Sequence, residues 1–368
     1  MHAETAFAFG CPIDRLGPVG FIEIRGWGMA KIIGAALAAG LLMGAALPAQ
    51  AGVTLDAVKQ KGRVTCGVNT GVAGFSLPDS KGAWTGLDID LCRAIAAAIF
   101  LDPSKAEFVP TTAVQRFPAL QSGEIDVLTR NATQTLTREA SLGLHMAGVN
   151  FYDGQGFMVS KKSGVKSLKQ LGGATVCVQP GTTTELNMAD YSRANHIELK
   201  PVVIERVDDD ISALSSGRCD AFTTDSSQLA SLRVTAMPKP DDWVILPELI
   251  SKEPLGPMVR NGDDQWYDIV RWTLYAMIQA EELGITQANL EEKTKSSNPE
   301  VLRFLGITAG NGQALGLDEK WAYTIIKSVG NYGESFERNM GKGSPIKLDR
   351  GLNDLWTRGG IMYALPLR

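Results

Sequence analysis

Short apolar segments alternate with helical segments in the first part of the chain. Residues 63–68 and 106–110 have the composition of buried strands, and residues 124–128 lead into a third strand. Between them, residues 87–100 carry apolar side chains at helical spacing, and residues 116–122 form a shorter helix. The order strand–helix–strand–helix–strand predicts a parallel sheet that is covered by helices on both faces.

The same pattern then starts again. Four more apolar segments are predicted strands: 157–160, 175–178, 202–205 and 221–224. Helical stretches begin near Thr183 and Asp208. A glycine-rich crossing at 152–156 precedes this second set, and a second crossing at 249–254 follows it. A further strand at 256–260 leads into a strongly amphipathic helix with Asp263 as its N-cap.

Two crossings predict two α/β lobes, the second inserted into the first. We expect the first lobe to contain residues 52–153 and 254–368, and the second lobe residues 154–253. Ligands of such sheets bind beyond the carboxyl ends of the strands. The loops that follow strands in this way are 69–75, 131–138, 179–184 and 224–227.

Composition and charge exclude several classes of function. The 368 residues are 44% hydrophobic and carry a formal net charge of −4, so nothing indicates a nucleic-acid partner. The chain has neither a phosphate-binding loop nor a complete Gly-x-Gly-x-x-Gly motif. It has no Cys-x-x-Cys pair, and His145 and His196 are far apart, so we predict neither a metal site nor a cofactor.

The N-terminal region has the organisation of an export signal. A charged start at 29–31 is followed by an apolar stretch at 32–47 and by an Ala-x-Ala site that ends at Ala51. We therefore predict a signal peptide at 29–51, cleavage after Ala51 and a periplasmic location. The alternative is a membrane anchor, but a membrane span needs about 20 apolar residues, and the stretch at 32–47 is shorter than that. Residues 1–28 resemble no targeting signal, and we expect them to be a mis-assigned upstream extension.

The cysteines favour disulfides. Cys11 lies before the predicted cleavage site, and the exported chain retains Cys66, Cys92, Cys177 and Cys219. Four cysteines permit three pairings. We predict Cys66–Cys92 and Cys177–Cys219, because each of these pairs joins elements of one lobe and a bond between lobes would block their movement.

Several motifs resemble one known family. The segment 86–91 (GLDIDL), followed by Ile95, Ala96 and Ile99, is similar to the signature of the polar-amino-acid periplasmic solute-binding proteins, family 3. The likeness extends over nearly all of residues 54–368. Five more segments resemble the branch called general L-amino-acid-binding proteins: 68–71, 119–127, 152–157, 181–185 and 330–334. The tail beyond about residue 299 is also similar to that branch.

The resemblance implies a two-lobed periplasmic-binding-protein fold of type II, with two parallel-type sheets joined by two hinge crossings. It also implies residues that hold an amino acid. Thr133 and Arg138 match the pair whose arginine binds the α-carboxylate, which suits the planar fork of a guanidinium and a nearby hydroxyl. Asp225 matches the carboxylate that binds the α-ammonium, although an aspartate here could simply form a turn.

Further contacts follow from the same resemblance. Thr182 and Thr183 open a helix whose free N–H groups suit a carboxylate, but threonines also cap helices for structural reasons. The other implied contacts are Asn69, Phe75, Asn131, Gln179 and Arg116. For Arg116 a place on the helix surface is an equal alternative. We expect a preference for polar side chains, because Asn69, Arg116 and Gln179 outnumber the aromatic candidates around the expected side-chain pocket. Gln134, which stands where this branch is expected to carry an aromatic residue, indicates the same preference.

The predicted function is the extracytoplasmic, monomeric component of an ABC importer. It would bind L-amino acids between the lobes and deliver them to a permease in the inner membrane, without catalysing a reaction. One alternative is a dehydratase of the prephenate or arogenate type, because those enzymes share the architecture. Another is a ligand sensor that serves a separate receptor.

Overall fold

The computed structural model of the protein describes residues 52–309 and 311–368. The predicted upstream extension, signal peptide and cleavage site lie outside these residues. Within them, no helix is long and apolar enough to cross a membrane.

Strands and helices alternate along the described chain, as the hydrophobic pattern predicts. The strands are β1 (Val64–Asn69), β2 (Leu77–Pro78), β3 (Trp84–Thr85), β4 (Ala106–Thr111), β5 (Val127–Leu128), β6 (Leu144–Met146), β7 (Phe151–Asp153), β8 (Gln155–Ser160), β9 (Thr175–Val178), β10 (Lys200–Val203), β11 (Ala221–Asp225), β12 (Trp243–Ile245), β13 (Glu253–Leu255) and β14 (Met258–Arg260). The helices are α1 (Val53–Lys61), α2 (Leu87–Phe100), α3 (Arg116–Ser122), α4 (Leu136–Ala140), α5 (Thr183–Asn195), α6 (Val207–Ser215), α7 (Ser226–Thr235), α8 (Asp264–Glu282), α9 (Leu290–Lys293), α10 (Pro299–Phe304), α11 (Gly312–Leu315), α12 (Trp321–Val329) and α13 (Tyr332–Asn339).

Two five-stranded sheets form the two lobes. The first has the strand order β4-β1-β5-β14-β6, and the second has the order β10-β9-β11-β8-β12. Strands β4, β1 and β5 are parallel, as the strand–helix–strand pattern predicts, and so are β10, β9 and β11. Strands β14, β6, β8 and β12 run antiparallel to their neighbours, so both sheets are mixed rather than wholly parallel.

A small antiparallel ladder joins the lobes. Strand β7 enters the second lobe and β13 leaves it, and Asp153 lies opposite Glu253 in their register. Asn353 holds β7 from the side: its amide accepts from the backbone N–H of Tyr152 at 2.6 Å and donates to the Tyr152 carbonyl at 3.0 Å. This two-stranded ladder is the pair of hinge crossings expected from the sequence.

The apolar cores follow from the periodicity of the elements. In the second lobe, successive side chains of β8 point to opposite faces of the sheet, so Phe157 and Met158 lie in separate clusters. In the first lobe, a large core extends from β1 and α2 to the C-terminal helices α12 and α13, and a smaller cluster around Leu120 and Leu128 lies apart from it. The C-terminal extension, by which we mean the tail beyond about residue 299, therefore shares its apolar core with β1 and α2.

Both predicted disulfides are confirmed. Cys66 of β1 bonds Cys92 of α2, with Cα atoms 6.2 Å apart. Cys177 of β9 bonds Cys219, just before β11, with Cα atoms 5.7 Å apart. Each bond lies within one lobe, so neither disulfide links the two lobes covalently.

The motif at 86–91 has a steric and a polar function. Gly86 has φ of +138°, and a Cβ there would lie 1.9 Å from the Phe75 carbonyl oxygen, so only glycine fits. Asp90 accepts from Ser335 at 2.7 Å, from Arg338 at 2.6 Å and from Asn339 at 2.8 Å. The Asp90 carboxylate therefore anchors α13 to the first turn of α2.

Candidate functional site

The loops after β5, β9 and β11 meet between the two lobes and enclose a small cavity. The residues that line it are Arg116, Arg130, Asn131, Thr133, Gln179, Thr182, Thr183, Thr184, Thr224, Asp225 and Gln228. The cavity measures about 20 Å³, which is room for about one water molecule. An amino acid would therefore require the lobes to separate before it could enter.

Asn131 connects the lobes through its amide. Its oxygen accepts from Asn69 at 3.1 Å, within the first lobe. Its nitrogen donates to Asp225 and to Gln228 of the second lobe, each at 3.1 Å. All four residues are buried. The loops that the sequence singled out after β1, β5 and β11 thus contact one another directly.

Arg138 is the last residue of the clamp loop, by which we mean residues 131–138, and its side chain is buried. Its guanidinium donates to the Thr133 carbonyl at 2.6 Å, and its carbon lies 4.8 Å from the centre of the Phe117 ring. Burial lowers the pKa of Arg138, while the charges of Glu253 and Asp225 oppose that shift. Arg138 does not line the small cavity, but it supports the loop that does.

Two more arginines are buried in the same cleft. The Nε atoms of Arg116 and Arg130 have no hydrogen-bond partner in the part of the chain that the structure describes. Burial lowers the pKa of Arg116 well below its usual range and that of Arg130 to about 10. Arginine nonetheless remains charged in proteins. The alternative that Arg116 lies on a helix surface is wrong, because it is only 3% exposed.

The carboxylates of Asp225 and Glu253 lie near these arginines, and Asp153 lies near both carboxylates. Asp225 is buried at the end of β11, and burial, with the charges of Asp153 and Glu253, raises its pKa well above the usual range. Burial also raises the pKa of Asp153 to about 6, although the side chain accepts from Ser227 and from the Gly154 N–H. None of the three carboxylates forms an ion pair with Arg116, Arg130 or Arg138 among the described residues.

The two threonines at the start of α5 have different partners. Thr182 is the N-cap: its hydroxyl accepts from the Glu185 N–H at 3.1 Å and donates to the Gln179 carbonyl at 2.7 Å. The Thr183 hydroxyl instead donates to Glu253 at 3.0 Å. The Thr182 hydroxyl therefore caps the helix, which is the structural alternative raised from the sequence, and Thr182 also borders the cavity.

Two residues singled out from the sequence lie away from this cavity. Phe75 is fully buried in the core of the first lobe, where its ring meets Phe151 edge to face at 5.4 Å. Gln134 donates to Glu139 at 3.0 Å and borders a separate cavity of about 330 Å³ together with Tyr152 and Tyr267. The polarity at position 134 therefore acts outside the small cavity.

Five residues of the site were missed in the sequence: Arg130, Thr184, Thr224, Gln228 and Glu253. Four of them could have been found by their place in the chain. Arg130 directly precedes Asn131, Thr184 and Thr224 adjoin predicted contacts, and Gln228 lies one helical turn after Asp225. Glu253 had no local signal, because its partner Thr133 is 120 residues away. No group of three or more His, Cys, Asp or Glu side chains within the described ranges could hold a metal ion.

Comparisons with known proteins agree with this architecture. The family model of bacterial extracellular solute-binding proteins, family 3, matches residues 64–289. The general L-amino acid-binding periplasmic protein AapJ of Rhizobium johnstonii is 56% identical over 340 residues, which cover 92% of this chain and 99% of AapJ. The glutamate/glutamine/aspartate/asparagine-binding protein BztA of Rhodobacter capsulatus is 53% identical over 316 residues, 86% of this chain and 93% of BztA.

A solved structure extends the likeness to three dimensions. It is an ABC transporter periplasmic binding protein from Brucella ovis with glutathione bound. It is 58% identical in sequence, has a TM-score of 0.84, and the match covers 86% of this chain and 99% of that chain.

Proposed function

The chain belongs to the bacterial extracellular solute-binding proteins of family 3, and we propose that it captures free L-amino acids between its lobes for an ABC importer. The observation that carries this proposal is the arrangement of charge in the cleft. Arg116 and Arg130 of the first lobe and Asp225 of the second lobe line one small cavity and form no ion pair with one another, and Arg138 and Glu253 are buried close by. A zwitterion has the two charges that complete this arrangement.

In the proposed complex, Arg138 binds the α-carboxylate and Asp225 binds the α-ammonium. A guanidinium can make two parallel bonds to a carboxylate, and these are strong when buried. The N–H groups at the start of α5, at Thr182 and Thr183, supply further donors near a positive helix end. Asn69 and Asn131 would complete the site with their amides once the contacts of Asn131 with the second lobe have opened.

Ligands with polar or acidic side chains fit the remaining groups best. Arg116 and Arg130 have free donors, and Gln179 borders the same cavity. The names of AapJ and BztA describe a general and an acidic-and-amide amino-acid binder, respectively. A second candidate ligand is glutathione, since the relative with 58% identity holds it. Its γ-glutamyl end carries the same α-amino-acid head group.

We propose that the protein works in the periplasm as a monomer. The predicted signal peptide at 29–51, with cleavage after Ala51, would deliver it there, and AapJ is named as a periplasmic protein. Its partners would be the permease subunits in the inner membrane, with no nucleic acid involved. We further propose that the lobes divide at 153/154 and 253/254, where the two hinge strands lie.

The rival functions make different demands on the site. A dehydratase would need a placed acid and no clamp for a complete amino acid, whereas Arg138, Thr133 and Asp225 match the complete clamp. We therefore propose that the protein is not an enzyme. A sensor for a separate receptor would share the binding site, and it differs from an importer component only in its partner.

Calorimetric titration of refolded, ligand-free protein tests the proposal. The panel is the twenty amino acids and glutathione, at neutral pH and one fixed salt concentration. We expect several L-amino acids to bind, with glutamate or glutamine among the tightest, and their D-enantiomers to bind much more weakly. If no member of the panel binds, the proposed function is wrong. If glutathione alone binds, the ligand is a γ-glutamyl peptide.

A further inference from the structure

Glu253 occupies the second hinge strand at the point where both lobes meet. It is 1% exposed, and its backbone pairs with Asp153 of the other hinge strand. Glu253 does not line the small cavity, and no motif drew attention to it. Its position nevertheless brings it against residues of the clamp loop and of α5.

The Glu253 carboxylate receives four hydrogen bonds. One oxygen accepts from the hydroxyls of Thr133 at 2.5 Å and Thr183 at 3.0 Å. The other accepts from the Asn187 amide at 2.8 Å and the Ser251 hydroxyl at 2.6 Å. A carboxylate has about four acceptor sites, so Glu253 is saturated by donors from both lobes and the hinge.

These bonds decide what the two threonine hydroxyls can still do. A hydroxyl has one proton and two lone pairs. Thr133 and Thr183 lie 3.3 Å apart, farther than either lies from Glu253, so both protons are directed to the carboxylate. Each hydroxyl can then only accept a further hydrogen bond. An ammonium group can donate to it, whereas a carboxylate cannot.

We infer that Glu253 is a positioning residue for amino-acid binding, which holds Thr133 and Thr183 as acceptors for the ligand's ammonium group. This inference rests on the proposed function. It changes the role of Thr133, whose hydroxyl is expected from the sequence to donate to the carboxylate. The carboxylate is left to Arg138 and to backbone N–H groups. Glu253 also links the clamp loop and α5 to the hinge strand, so that both hydroxyls turn toward the ligand together.

Two substitutions separate this role from simple packing. Glu253→Gln keeps the length and one acceptor oxygen, so the threonine protons still have a partner. Glu253→Met fills the same space with no acceptor, and each hydroxyl proton is then free to turn elsewhere. Hydrogen bonds to charged groups contribute about 1.5–3 kcal/mol, so we expect the Met variant to bind L-glutamate roughly 10- to 100-fold more weakly. The Gln variant should lose much less than the Met variant.

A ligand without the ammonium group isolates the polarity of the hydroxyls. Glutarate keeps both carboxylates of glutamate and lacks the amine, so titration of each variant with both compounds separates the two ends of the ligand. We expect Glu253→Met to weaken the binding of glutamate far more than the binding of glutarate. In a Thr133→Val background, the loss of glutamate affinity caused by Glu253→Met should be at least threefold smaller than the loss it causes alone, as expected for coupled residues.

The outcomes are distinct. The inference is wrong if Glu253→Met and Glu253→Gln bind glutamate equally well. It is also wrong if Glu253→Met reduces the affinity for glutarate as much as the affinity for glutamate. If Glu253→Met does not fold, a comparison of Thr133→Val with Thr133→Ser replaces it. Only the Val variant should then lose affinity for glutamate while it retains affinity for glutarate. If the wild-type protein binds no amino acid, the proposed function fails. If the wild-type protein binds glutamate and Arg138→Ala weakens this binding, but the Glu253 variants do not, only the inference fails.

Discussion

Buried arginines are compensated differently in the C-terminal extension and in the cleft. In the extension, Arg350 donates to both carboxylate oxygens of Glu281, at 3.1 and 3.2 Å. In the cleft, Arg116, Arg130 and Arg138 are more deeply buried than Arg350, yet none forms an ion pair within the described residues. The first arrangement is complete and stabilises the fold. The second is incomplete, which is typical of a site whose remaining partner is a ligand.

The comparison also separates stability from function. Removing one partner from a complete buried pair leaves the other unsatisfied and destabilises the protein. Removing an arginine that awaits a ligand costs the folded protein little, because burial of an unpaired charge was already unfavourable. Substitutions in the two regions should therefore have opposite effects on unfolding and on binding.

The largest effect is expected for Arg138→Ala. Loss of the partner of the α-carboxylate should weaken the binding of every amino acid by about 2–5 kcal/mol, or roughly 30-fold to several thousandfold in affinity. Thermal unfolding should change little. Titration calorimetry measures the affinity, and Arg63→Ala is the matched control, since Arg63 is exposed and pairs with Glu107, far from the cleft residues in sequence. Wild-type affinity in a folded Arg138→Ala protein would mean that the carboxylate binds elsewhere.

Arg350→Ala should show the reverse pattern. Among the described residues, it leaves Glu281 with Arg358 as its remaining ion-pair partner, and it removes the guanidinium from the faces of Tyr332 and Phe336. We expect a loss of about 2–4 kcal/mol in the free energy of unfolding, with amino-acid affinity retained in the folded protein. Urea unfolding and calorimetry on the same preparation provide both values. A loss of binding without a loss of stability would contradict the comparison.

Asp225→Asn should weaken binding and raise stability. The amide cannot offer a charge to the ammonium, so we expect about 10- to 100-fold weaker binding. Because the pKa of Asp225 is raised on folding, the folded state retains a proton that the unfolded state releases. Stability is therefore lost as the pH rises from the unfolded pKa, about 3.9, through the folded one. Asn does not titrate, so unfolding curves between pH 4 and 8 should show a smaller decline for the variant.

Asp210→Asn should have the smallest effect, on stability alone. Asp210 is fully buried in α6, and neither of its carboxylate oxygens has a hydrogen-bond partner in the described chain. Burial raises its pKa to about 8, so the folded protein loses stability as the pH rises toward 8. We expect the variant to gain about 1–2 kcal/mol at pH 8. The exposed neighbour offers the control Asp209→Asn, and equal effects of the two would contradict this explanation.

Local patterns predicted most of the fold. Strand and helix periodicity identified both sheets, Asp263 caps α8 as expected, and cysteine position led to the correct disulfides. The family resemblance is confirmed. These features depend on neighbouring residues or on the rule that parallel strands present their carboxyl ends at one edge, so a single sequence contains enough information to find them.

What the sequence did not predict depends on contacts between distant segments. Phe75 adjoins the first loop, but its ring lies in a core completed by Phe151, which stacks on Phe336 of the C-terminal extension. Asp90 acquires three hydrogen-bond donors only because α13 packs against α2. Glu253 acquires its partners only when the chain returns through the hinge. Such contacts are set by tertiary packing and leave no local pattern.

Small-angle X-ray scattering most directly tests the claim that the two lobes close on an amino acid. The experiment compares refolded wild-type protein with and without saturating L-glutamate, and repeats both measurements with Arg138→Ala. We expect glutamate to reduce the radius of gyration of the wild-type protein and to leave that of the variant unchanged. A radius that stays the same while calorimetry reports tight binding to the wild-type protein would contradict closure between the lobes.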